Sequence, residues 1–178
     1  MRQNPPSLRG LAYASMFGAL TAAGAFMMIP LPPVPITMQD FFVSLAGALL
    51  GGYLGAMSQV VYILLGVIGL PVFAGGKAGF GVLLGPTGGY LIGFVVGAYV
   101  IGRMTAGKDR PGFWRLIAAM TVGHLFLYAL GIVQLMVVAK LTLAKALAVG
   151  LLPIIPGGIL KIVMAAMICL KVREHIKL

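Results

Sequence analysis

The chain has 178 residues, 61% hydrophobic and 9% charged, with a mean hydropathy of +1.08. A soluble domain is about 25% charged, and a chain this short exposes too much surface to hide such a composition, so lipid is the expected solvent. The net charge of +10, from 13 basic against three acidic residues, lies mostly in short clusters at the ends of apolar stretches, which speaks for membrane loops and against a nucleic-acid patch.

Residues 10–39, 41–76, 78–102 and 116–139 carry no Lys, Arg, Asp or Glu. Each can supply the roughly 20 residues needed to cross a hydrocarbon layer about 30 Å thick. The amino-terminal run behind Arg2 and Arg9 is too long for a signal peptide and lacks a cleavage site before a polar domain, so it is expected to stay as the first span. The stretch 41–76 is long enough for a helical hairpin, with Gly51-Gly52-Tyr53-Leu54-Gly55 supplying a permissive turn. The expectation is an all-α integral membrane protein, a single transmembrane solute-binding domain over residues 1–178, with about six transmembrane helices near 10–29, 38–50, 54–70, 86–103, 114–138 and 156–172.

Arg2, Arg9, Arg103, Lys108, Arg110, Arg115, Lys171, Arg173 and Lys177 fall at the termini and the fourth-to-fifth connection, against Lys77, Lys140, Lys145 and Lys161 on the other side. The positive-inside bias then puts both termini in the cytoplasm of a multi-pass plasma-membrane protein. Three non-helical segments fall on the outer side: Pro30 to Thr37, stiff with proline; Gly69 to Gly89, rich in glycine; and Pro153 to Gly158. Irregular backbone at membrane depth must be shielded or line a cavity, so these segments are expected to cap one solute pocket. Helix one carries small residues at helical spacing, Ala14, Gly18 and Ala22 on one ridge and Ser15, Ala19 and Ala23 on the next, fit for close packing within the chain or against another subunit.

Enzyme chemistry finds little footing. Gly76-Lys77 is not part of a phosphate loop, since Pro71 precedes it by five and Ala78 replaces the magnesium-binding hydroxyl. The serines sit in no nucleophile elbow, and His124, the histidine within a span, reads as a packed or interfacial residue. With Cys169 the single cysteine, there is no intrachain disulfide, and no metal cluster or cofactor is expected. Lys161 is the exception: from 146 to 170 it is the sole charged residue. An intramembrane lysine costs several kcal/mol unless it snorkels, pairs or meets a ligand, which makes it a candidate binding residue. Free N–H groups of Gly157 and Gly158, behind Pro156, would favour a carboxylate or carbonyl oxygen beside it. Asp40, behind Gln39, either serves the helix dipole or meets polar groups of a solute.

Four segments in order, Pro33-Val34-Pro35-Ile36-Thr37-Met38-Gln39, Leu70-Pro71-Val72-Phe73-Ala74-Gly75-Gly76, Gly85-Pro86-Thr87-Gly88-Gly89-Tyr90 and Leu152-Pro153-Ile154-Ile155-Pro156-Gly157, resemble the BioY family, the biotin-specific S components of energy-coupling-factor transporters. The resemblance covers roughly residues 10 to 172 and implies the S-component fold, biotin uptake, and an external biotin pocket capped by the first loop. It also implies partners: a transmembrane coupling subunit and two ATPases. Substrate-binding residues are then Gln39, Asp40, Phe73, Gly75, Gly76, Tyr90 and Lys161, with Phe73 and Tyr90 as apolar wall. The ridge Ala14, Gly18 and Ala22 is similar to the face such components turn to the coupling subunit. Where the family's last motif reads P-G-D-x-x-K, Lys161 matches the lysine and Gly158 stands in the aspartate's place. Either Asp40 or Gln39 then takes over that contact, or the affinity is lower, or a related solute is preferred. A solitary facilitator or a structural membrane subunit are the rival readings.

Overall fold

The computed structural model describes residues 7–107 and 111–175. Arg2, Lys108, Arg110 and Lys177 of the charge asymmetry lie outside it, as does the side chain of Arg173. Helix α1 (Leu8–Phe26) starts where the Ser7 hydroxyl accepts the Gly10 N–H at 3.1 Å. It ends in a two-stranded hairpin, β1 (Met28–Ile29) against β2 (Ile36–Thr37), with Met28 opposite Thr37 and the proline segment at its tip. Next come α2 (Gln39–Val67), the short α3 (Gly81–Leu84), α4 (Gly88–Thr105), α5 (Phe113–Ala139), α6 (Leu143–Gly150) and α7 (Ile155–His175).

Helix α2 is two limbs. At Gly51 the backbone takes φ 82 and ψ 174, a conformation open to glycine and few others, and the chain doubles back. A Cβ on Gly55 would come within 2.9 Å of the Gly47 Cα, so the limbs lie against each other at the turn. The hairpin expected over 41–76 is therefore present, with its break at the first residue of the glycine cluster. α1 runs beside the second limb, where Gln59 donates to the Thr21 hydroxyl at 3.2 Å. α4 and α5 lie antiparallel along a glycine seam, Gly93 against Leu127 and Gly97 against Gly123. The chain thus traverses the bundle about six times, through α1, both limbs of α2, α4, α5 and α7.

Four described helices are long and apolar enough to cross a membrane: Gln39–Val67, Gly88–Thr105, Phe113–Ala139 and Ile155–Val172. The first limb of α2, residues 39–50, reaches only about 18 Å at 1.5 Å per residue, less than a hydrocarbon layer about 30 Å thick. Outward-facing Leu125, Val133, Ile159 and Leu160 are exposed, as lipid contact requires. Two apolar clusters fill the interior. One holds Phe41, Leu45, Ile101, Leu116, Met120 and Cys169; the other holds Tyr62, Phe73, Tyr90, Phe94 and Leu127 and surrounds a cleft. The two short helices α3 and α6, not expected from sequence because neither is long enough to span, both lie in connections between longer helices.

Candidate solute-binding site

Counted out to its open mouth, the space in the cleft is about 660 Å³. Its wall draws on the proline hairpin (Val34, Pro35), the glycine-rich connection (Phe73, Ala74, Val82) and the turn before α7 (Ile154), with α4 and α5 behind. The three irregular segments thus converge on one cavity, the arrangement that shields their backbone.

At one end lies a buried ion pair. Lys161, from the second turn of α7, and Asp40, from the first turn of α2, are 5% and 6% exposed. The ammonium lies 2.6 and 2.7 Å from the two Asp40 oxygens and donates a third bond to the Thr37 carbonyl at 2.9 Å. The pair therefore ties together α2, α7 and the base of the hairpin. Asp40 Oδ1 also accepts the N–H of Phe41 at 3.1 Å, and His124 Nε2 stands 3.7 Å from Oδ2. Lys161 neither snorkels nor waits alone for a ligand, since its first partner is Asp40. The amide expectation for α7 is corrected at Gly158, whose N–H is already taken by the Ile154 carbonyl at 2.8 Å, because the helix begins a residue earlier than Pro156 suggests.

The aromatic walls are seated on glycines. The Phe73 ring lies over Gly66 so closely that a Cβ there would collide with it, and the Tyr90 ring covers Gly131 in the same way, 2.5 Å from a Cβ built there. Phe73 meets Tyr62 edge to face at 5.7 Å. Gln39 donates to the Tyr62 hydroxyl, which donates to the Val72 carbonyl at 3.2 Å, locking the start of α2 to the glycine-rich connection. The Tyr90 hydroxyl donates to the Gly150 carbonyl at 2.9 Å, so its polar end holds α6 and its ring faces the cleft.

Of the residues expected from sequence, Gln39, Asp40, Phe73, Tyr90 and Lys161 meet at this cleft. Gly75 and Gly76 do not line it. They form the exposed tip of a turn closed by Phe73 and Lys77, with φ of 76 and 70, and it is their neighbours Ala74 and Lys77 that border the cavity. Ala14 and Gly18 are turned inward; a Cβ on Gly18 would sit 2.9 Å from the Ser58 carbonyl oxygen. The ridge expected to dock a partner is thus covered by the second limb of α2, Ala22 is half-buried, and the outward ridge is Ser15, Ala19 and Ala23. Thr37, Lys77 and Tyr128 border the cleft without having stood out in the sequence.

A multi-pass helical membrane protein whose apolar-walled cleft ends in a buried ion pair is, in class, a membrane-embedded protein that binds a small solute. The model of the BioY family matches residues 1–178, and the chain belongs to that family. It is 42% identical over 167 residues to the biotin transporter BioY of Thermotoga maritima, covering 94% of this chain and 97% of that one. To the biotin transporter BioY of Rhizobium etli it is 39% identical over 172 residues, 91% of each chain. Among solved structures it is similar to the S-component for biotin from an ECF-type ABC transporter, with a TM-score of 0.85 at 28% identity, over 98% of this chain and 96% of that one.

Proposed function

We propose that this chain is the biotin-binding S component of an energy-coupling-factor transporter, serving biotin uptake by reversible binding and without covalent chemistry of its own. The observation that carries the reading is the cleft itself, in a chain that aligns with relatives named as biotin transporters over nearly their whole length. Biotin is a fused ring with a cyclic urea, an aliphatic chain and a terminal carboxylate. Phe73, Tyr90 and Leu127 offer apolar area for ring and chain, Asp40 offers a carboxylate for the urea N–H groups, and exposed Lys77 at the rim offers a cation for the acid. Asp40 thereby stands in for the acid that Gly158 does not supply.

Energy would come from two ATPases through a transmembrane coupling subunit. Its docking face is the outward ridge of α1, where Ser15, Ala19 and Ala23 let another helix approach closely. Both termini lie in the cytoplasm and the cleft opens outward, as the charge asymmetry asks. Thermal unfolding of the purified protein against a panel of vitamins tests the reading. A ligand that binds only the folded state raises stability, by about 2.7 kcal/mol at 100 times its Kd. Biotin is expected to raise the midpoint and the other vitamins to leave it unchanged. A panel in which biotin has no effect would refute the assignment.

A further inference from the structure

Most polar groups at the inner end of the cleft are already spent within the protein. The three N–H bonds of Lys161 go to Thr37 and the two Asp40 oxygens, the Gln39 amide goes to Tyr62, and the Tyr90 hydroxyl goes to Gly150. Two buried polar atoms of α5, one turn apart, are not: His124 Nε2 and the Tyr128 hydroxyl make no hydrogen bond among the described residues. Both face the Asp40 carboxylate, the one acceptor within the fold that either could turn to, and His124 Nε2 stops 3.7 Å short of it. Of the two, Tyr128 borders the cleft. His124 stands behind, its Nδ1 2.9 Å from the Met120 carbonyl oxygen. A buried hydroxyl without an acceptor is costly, and folded proteins seldom keep one unless something outside the fold completes it.

Resting on the biotin reading, we propose that Tyr128 is a substrate-contacting, specificity-determining residue, its hydroxyl donating to the carbonyl oxygen of the cyclic urea while Asp40 accepts an N–H of the same ring. Asp40 retains capacity for this. An ionised carboxylate has about four acceptor sites, and Lys161 and Phe41 take three of them. The first turn of α7 makes room for the phenol. A Cβ on Gly158 would lie 3.0 Å from the Tyr128 oxygen, so the absence of a side chain at 158 is what lets the hydroxyl reach the end of the cleft. A ring that presents an acceptor flanked by donors closes both open valences at once; a solute with an apolar ring closes neither.

Calorimetric titration of the purified protein with biotin, and with its analogue carrying sulfur in place of the ureido oxygen, tests this. Tyr128→Phe is expected to weaken biotin about tenfold or more while the unliganded protein melts no lower than wild type, because an unpaired hydroxyl has been removed. The wild-type preference for oxygen over sulfur, a poorer acceptor, shrinks towards unity in the variant. Gly158→Ala, which keeps the hydroxyl but crowds it, weakens biotin in the same direction and supplies an independent reading. Wild-type biotin affinity in Tyr128→Phe, or an undiminished preference for oxygen, would overturn the assignment while leaving the biotin reading intact. No biotin binding by the wild type would overturn both.

Discussion

Lys161 and Asp40 hold each other in a place where neither survives alone. Removing one partner of a buried pair leaves an uncompensated charge and costs about 3–5 kcal/mol, whereas neutralising both costs far less. Lys161→Ala is therefore expected to lower the melting temperature in detergent and to weaken biotin at least about 100-fold, or 2.7 kcal/mol. The double variant Asp40→Asn with Lys161→Met is expected to recover most of the stability and none of the affinity, since the carboxylate that meets the urea is gone. Biotin bound by the double variant as tightly as by wild type would remove the pair from the site. Lys161 stood out in the sequence because a lone charge in an apolar run has few explanations. Asp40 stood out too, but not as its partner, because the two are 121 residues apart and the contact depends on where two helices meet. Tyr128 gave no signal: a tyrosine in an apolar helix looks like wall, and only geometry reveals that its oxygen lacks a partner. Gly75 and Gly76 misled in the opposite sense, because glycines in a motif mark backbone that must turn, and the turn holds its neighbours to the cleft.

At the scale of elements, the uncharged runs foretold the long helices to within a few residues, since lipid leaves a chain few alternatives to satisfying its backbone within helices. The hairpin β1–β2 and helices α3 and α6 were not legible. Each is too short for periodicity to show. The turn in α2 was legible from its glycines, and it rests on Gly51. Gly51→Ala is expected to cost about 1–3 kcal/mol through backbone strain, although nothing lies within 4 Å of the added Cβ. An unchanged melting temperature would contradict that origin. On α1 the small-residue pattern was visible in the sequence but not which ridge faces outward, because two adjacent ridges look alike until the helix is packed. Ala19→Phe, on the outward ridge, is expected to leave biotin titrations unchanged and to abolish uptake by cells carrying the coupling module. Normal uptake by that variant would move the docking face elsewhere.

For the whole molecule, the fold divides labour along its length. The glycine-broken turn of α2 and the tight α4–α5 seam build a rigid bundle, and three irregular segments close over one end of it to make the cleft. Lipid supports the outer surface and the apolar clusters fill the interior, and the buried charged pair Asp40 and Lys161 lies where a solute can use it. The absence of a phosphate loop in the sequence fits a protein that binds cargo and leaves ATP to partners. The most direct measurement is a structure of the purified protein with biotin bound. The account predicts the bicyclic ring between Phe73 and Tyr90, its urea against Asp40 and Tyr128, and its carboxylate towards Lys77. Biotin bound at any other place on the molecule, with this cleft empty, would contradict it.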